Sequence, residues 1–147
     1  MQNLDPYSVA PKDMQELIAL HAFLDAGGLE EPLVELVRLH VSQLNGCIPG
    51  VRRHRRRARA LGETAQRIAA IGAQTTLFSE KERCALRWAA AITSMTRARI
   101  TDADRASVRQ WFTDIEVVKL TLIVAATFAW NLVEMSLFNP LTAMEER

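Results

Sequence analysis

Apolar side chains recur at intervals of three and four along almost the whole chain, and nowhere do they alternate with period two over a strand length. Residues 12–26 place Met14, Leu17, Ile18, His21 and Leu24 on one helical face, and Gly27-Gly28 ends that helix. A second helix starts near Pro32 and runs through EPLVELVRLHVSQL to the Asn45-Gly46 stop. A third starts near Pro49 and reaches Leu61-Gly62, followed by a short piece over roughly 64–72. Ser79 and Glu82 form a capping box before CALRWAAAITSM, Thr101 opens a further helix, and Thr113 with Glu116 caps the longest one, 114–137. The pattern predicts an all-α, compact bundle of about six helices in a single domain over 1–147. Residues 1–11 are expected to form a loose N-terminal arm.

Composition changes this picture little. The chain has 147 residues, enough for one domain with a real core, and a net charge of +1, which gives no global field toward nucleic acid or an anionic membrane. The most apolar run, Leu120 to Val133, has fourteen residues and is broken by Asn131, short of the roughly 20 that a membrane-spanning helix needs. It reads as a buried core helix. With no signal-like start and only Cys47 and Cys84, in no disulfide-framework spacing, a cytoplasmic setting is expected. No cofactor or metal is called for.

Four features carry candidate chemistry. The run RRHRRRAR, residues 52–59, has six arginines in eight positions, yet Val51, His54, Ala58, Leu61 and Ala65 share one face and no aromatic residue interleaves. It is expected to be the basic side of an amphipathic helix, with no nucleic-acid partner. Cys84 shares a face with Trp88, Ala91, Ile92 and Met95 and reads as core. Cys47 lies at the mouth of the third helix, where backbone amides and the dipole lower a thiol pKa, or else it is a small residue packed at a tight turn. Glu35 lies among leucines and valines. It is either a carboxylate favoured by the helix start or, if buried, a proton-transfer group with a raised pKa. His54 is on the same face as Cys47 but about 10.5 Å further along the helix. It is either a satisfied core histidine or part of a site.

The stretch ELVRLHVSQLNGC, followed by His54 and ALGET, resembles the alkylhydroperoxidase D-like branch of the carboxymuconolactone decarboxylase family. The resemblance continues through FSEKERCALRWAAAIT, ITDADRASVRQWF and AWN at 129–131. It implies a homo-oligomer, a trimer or a hexamer, and a redox centre of a glutamate, a C-x-x-C pair and a histidine. Glu35, Cys47 and His54 stand at three of those positions, and Gly50 replaces the second cysteine. In the family the second thiol attacks the peroxide, the first resolves the sulfenic acid as a disulfide, and the glutamate and histidine relay protons. A dithiol reductant then reopens the disulfide. Pro49 is a further departure from the active pattern.

Two functions follow as expectations. One is reduction of a small peroxide by Cys47 alone, with Glu35 and His54 handling protons. The other is a catalytically inactive oligomer that binds a small apolar ligand or a partner. Decarboxylation of a lactone acid, as in the family's namesake, fits the redox-type segment less well. A cysteine introduced at position 50 is expected to complete the pair on the first turn of the helix.

Overall fold

The computed structural model describes residues 4–137, all of whose regular structure is helical. In chain order the helices are α1 (Pro6–Val9), α2 (Pro11–Asp25), α3 (Glu31–Asn45), α4 (Ile48–Ala60), α5 (Ala65–Ala69), α6 (Glu80–Thr93), α7 (Asp102–Arg109) and α8 (Asp114–Leu137). The eight exceed the expected six because α1 and α5 are single turns. Residues 1–3 and 138–147 of the expected single domain lie outside the described residues.

The arm expected to be loose is tied down over its described part. Asp5 caps α1 through the Tyr7 amide, Pro6 is buried, and the Leu4 amide donates to the Leu137 carbonyl at 3.3 Å. Both capping boxes read from the sequence close as expected, at Ser79/Glu82 and Thr113/Glu116, and Thr101/Asp104 makes a third.

Helix α3 is the centre of the bundle, packed by α4, α6 and α8. Every residue from Leu33 to Ser42 is buried, polar ones included. A helix apolar on most of its circumference belongs in such a position, and the valines and leucines of ELVRLHV supply that surface. On one side Val34, Val37 and Val41 join Leu24, Trp88, Phe112, Leu120, Ile123 and Val124; on others Leu36 meets Phe78 and Leu86, and Leu39 meets Ala58 and Ile68. Cys84 belongs to the first cluster, as its spacing predicted. Met95 departs from that face and is exposed, and in α2 only Met14 and Leu24 are buried, with Ile18 exposed.

The fourteen-residue apolar run extends into a 24-residue α8, which by length and composition alone reaches what a bilayer span requires. Its Leu120, Ile123, Val124, Thr127 and Asn131 stripe is nevertheless packed inward. The outer face keeps Ile115, Val118 and Leu132 exposed.

Gly46 sets the α3–α4 turn, with φ +67 and its amide bonded to the Gln43 and Ser42 carbonyls. A left-handed residue is needed there so that Cys47 can begin α4 immediately. Nothing lies within 4 Å of a Cβ placed on Gly46, so Gly46→Ala tests backbone strain alone. The substitution is expected to lower unfolding free energy by about 1–2 kcal/mol in urea titration. An unchanged midpoint would show that the turn tolerates an L side chain.

Candidate functional site

Three helices bring the polar groups together. Helix α3 carries Glu35 and Arg38 into the core, α4 supplies His54 and Arg57, and α2 ends on Asp25. His54 Nδ1 lies 2.8 Å from Glu35 Oε2, both residues buried. The Arg38 guanidinium donates to Glu35 Oε1 at 3.1 Å and to Asp25 Oδ1 at 2.5 Å, and Arg57 Nε lies 3.4 Å from Glu35 Oε1. An ionised carboxylate only accepts, so His54 carries its proton on Nδ1 toward Glu35, which leaves Nε2 on the far side of the ring.

Burial pushes the Glu35 carboxyl upward, but the His54 hydrogen bond and the charges of His54, Arg57 and Arg38 outweigh it. The net result holds Glu35 below its ordinary range. This corrects the expectation that burial would raise it toward neutral pH: the packing that removes water also delivers cations. Glu35 therefore orients His54 as a fixed anion and does not itself shuttle protons near neutrality.

Beside the pair, a cleft of about 230 Å³ is lined by His54, Arg38, Arg53, Arg57, His21, Ile18 and Trp130. His21 Nε2 lies 3.1 Å from the Ala126 carbonyl and its ring meets Trp130 edge-on at 5.1 Å. The arginines of the basic run are thus divided. Arg53 and Arg57 engage this site, while Arg52, Arg55, Arg56 and Arg59 are exposed.

Cys47 is at the helix mouth, as the N-cap of α4, but it is fully buried. Its Sγ donates to Glu134 Oε2 at 3.4 Å, and Glu134 is ion-paired to Arg53. Burial pushes the thiol up to about 11, reinforced by the Glu134 charge and hydrogen bond, while the Gly50 amide and Arg53 pull the other way. The lowered thiol pKa expected from the helix terminus is overturned, because desolvation and an adjacent carboxylate outweigh the dipole. Cys47 is a neutral thiol at pH 7, and Cys84 is buried as well.

Position 50 is filled by other groups. A Cβ on Gly50 would meet Ser42 Oγ at 2.8 Å, Asn131 Oδ1 at 2.9 Å and Ser42 Cβ at 3.1 Å. Ser42 Oγ donates to Asn131 Oδ1 at 3.3 Å across this space. A cysteine at 50, expected to complete the pair on the first turn, would have to move the Ser42 and Asn131 side chains aside.

Of the three residues singled out in the sequence, Glu35 and His54 meet directly, and Cys47 is held apart with Glu134. Sequence reasoning missed Glu134, Arg38, Asp25 and Ser42. Asn131 left one trace, as the polar break in an apolar run.

Because the folded value of Glu35 is depressed, its stabilising contribution is complete above the ordinary carboxylate range and is lost as pH falls through that range toward the folded value. Glu35→Gln, which breaks a buried charge cluster, is expected to cost about 3–5 kcal/mol at pH 7. The same variant should lose less than wild type between pH 6 and pH 3 when both are unfolded in urea. Parallel pH profiles would show that Glu35 is not the ionised partner assigned here.

The comparisons agree with this architecture. A model of the carboxymuconolactone decarboxylase family matches residues 12–91. The chain is 29% identical over 140 residues to an uncharacterized protein of Bacillus subtilis (strain 168), covering 94% of this chain and 95% of that one. The structure of an Agrobacterium tumefaciens protein of unknown function, linked to AhpD antioxidant defence, superposes with TM-score 0.89 at 26% identity over 93% of this chain and 95% of the other. A peroxidase-related protein from Silicibacter sp. shares the fold with TM-score 0.77 at 22% identity, over 89% and 71% of the two chains. The family model spans more than half of the chain and the fold match nearly all of it, so the chain belongs to the carboxymuconolactone decarboxylase family, in its alkylhydroperoxidase D-like branch.

Proposed function

We propose that this protein keeps the proton-handling half of an alkylhydroperoxidase D-like site, Glu35 and His54, without the dithiol half. On this reading it binds a small, partly apolar molecule in the cleft at His54 and does not cycle peroxide through a disulfide. The observation that carries the reading is at position 50. The attacking thiol's place holds glycine, and the Ser42–Asn131 hydrogen bond occupies the space a side chain would need. The buried, protonated Cys47 beside Glu134 supports it.

A second reading, an antioxidant one-cysteine thiol peroxidase, is supported by the place of Cys47 as the N-cap of α4, where free backbone amides favour a thiolate. In that reaction the Cys47 sulfur attacks the peroxide O–O bond while its thiol proton passes, directly or by way of His54, to the departing alkoxide, which gives a sulfenic acid and an alcohol. Two equivalents of an external thiol then regenerate the cysteine with loss of water.

Hydroperoxide consumption with a dithiol reductant separates the two. Wild type is expected to consume peroxide no faster than Cys47→Ser. Brisk turnover that Cys47→Ser abolishes would replace the first reading with the second. Gly50→Cys is expected to lose about 1–3 kcal/mol through overpacking. Ser42→Ala in the same background should recover part of that loss in a thermal melt. A Gly50→Cys protein as stable as wild type would show that the crowding at position 50 is relieved at no cost.

The reading includes self-association, as the family resemblance implies. Phe23, Ile115 and Val118 are 72%, 70% and 58% exposed, and they border an apolar groove of about 410 Å³ between α2 and the start of α8. Another copy of the chain would cover this face. Light scattering is expected to give a trimer or hexamer whose mass is unchanged by reductant, since both cysteines are buried. A monomer at micromolar concentration would count against it.

A further inference from the structure

The loop between α5 and α6 closes over a histidine that the His54 site does not use. His40 lies about 140° around α3 from Glu35. It is 7% exposed, and its Nδ1 is buried with no hydrogen-bond partner among the described residues. Gly72 seals that edge of the ring: a Cβ there would lie 3.1 Å from His40 Cε1 and 3.8 Å from Nδ1. A residue without a side chain, at φ +83, lets the backbone pass this close.

The surroundings suit only a neutral imidazole. Loop residues 70–79, AIGAQTTLFS, carry no ionisable group. On α3 the neighbours one turn to either side, Leu36, Val37, Gln43 and Leu44, are uncharged. From α6 the charged groups on the wall of the same cavity are Arg83 and Arg87. The carboxylates nearby are committed, Glu80 to Arg83, and Glu63 and Glu82 to Arg67. A second proton on His40 would therefore place a charge in a dry site shared with two guanidinium groups. It would also create an Nδ1–H that no described residue accepts. Burial accordingly lowers the His40 pKa, against a smaller pull from the Gln43 side chain.

The loop is the part that can yield. Its far half is anchored by Arg83, which donates to the Thr75 carbonyl at 2.8 Å, by Arg67, which donates to the Leu77 carbonyl, and by Phe78, buried against Leu36 and Leu86. The stretch at the ring, Gly72 to Gln74, is held more lightly, by a turn bond from the Ala73 amide to the Ala70 carbonyl at 3.0 Å.

We propose that the Gly72 loop is a pH-operated latch, shut over neutral His40 and released from α3 when the ring takes a second proton, which opens the cavity beside Phe78 and Leu86 to water. The folded pKa lies below the unfolded one, so the closed loop has its full stability above the ordinary histidine range. That stability is lost as pH falls through the range toward the folded value. Release belongs to the acid side of neutrality.

Amide hydrogen exchange on the full chain, corrected for intrinsic rates, tests the latch. Protection of the Ala73 amide is expected to fall between pH 7 and pH 5 by about fivefold or more, the low end of ordinary coupling between sites. The Val37 and Val41 amides in the core of α3 should keep theirs. His40→Gln, neutral at both pH values, should abolish the change at Ala73. His21→Gln should leave it intact, although burial lowers the pKa of His21 as well. Coupling must also run in reverse. Gly72→Ala, which crowds the ring and strains the loop, should therefore raise the His40 pKa read by NMR titration. Loss of protection spread equally over α3, a pH response that survives in His40→Gln, or an unchanged His40 pKa in Gly72→Ala would each overturn the latch.

Discussion

The bundle depends on one constraint: α3 is buried on every side, yet it carries a carboxylate and a guanidinium. Glu35 and Arg38 are 0% and 1% exposed. Leaving either charge without partners in such a place would cost several kcal/mol, so neighbouring helices must bring counter-charges to it. Helix α2 does so by ending on Asp25, and α4 by presenting His54 and Arg57. The ion cluster therefore also fixes how α2 and α4 pack on α3. Such clusters are weak evidence of net stability, because hydrophobic replacements often serve as well. Their presence here makes better sense as a means of holding His54 in one tautomer at the edge of a cleft.

The thiol corner shows two opposed effects whose sizes decide the outcome. A helix N-terminus favours an anion by about 0.3–1 kcal/mol, and by about 2 in partly buried cases. Moving Cys47 from its ordinary 9.0 to about 11 corresponds to about 3 kcal/mol in the other direction, net of that help. Loss of water and the Glu134 carboxylate thus override the dipole. Tyr7 feels the charges of both Arg53 and Glu134, which places the α1 turn over the same corner.

What was legible in the sequence was local. The capping boxes at Ser79 and Thr113, the Gly46 stop and the core face of Cys84 are set by residues within a turn or two of one another, and they appear as read. Glu35 and His54, nineteen positions apart, were linked by family resemblance. The remaining members of the site were hidden because tertiary packing alone brings them in. Cys47 and Glu134 are separated by 87 positions, and nothing in EMSLF marks a thiol's partner. The same holds for Ser42 and Asn131, 89 positions apart. The pKa expectations failed for a related reason. At Glu35 the sign was set by His54 and the arginines that accompanied burial, and at Cys47 by burial itself, with the Glu134 carboxylate adding to it.

Gly50 is better understood as a packing residue than as a missing cysteine. Helix α4 holds His54 toward Glu35 on α3 and Arg53 toward Glu134 on α8, so adjacent residues tie it to both neighbours. At its first turn the Gly50 backbone comes so close to Ser42 and Asn131 that a Cβ would lie under 3 Å from each side-chain oxygen. Any side chain there must push α4 outward or displace the Ser42–Asn131 bond. Pushing α4 outward would act, one turn later, on the 2.8 Å contact between His54 and Glu35. In this chain the close approach that glycine permits and the buried proton-handling pair are therefore mechanically linked. A thiol at position 50 leaves His54 where it is only if the Ser42 and Asn131 side chains give way and their hydrogen bond is lost.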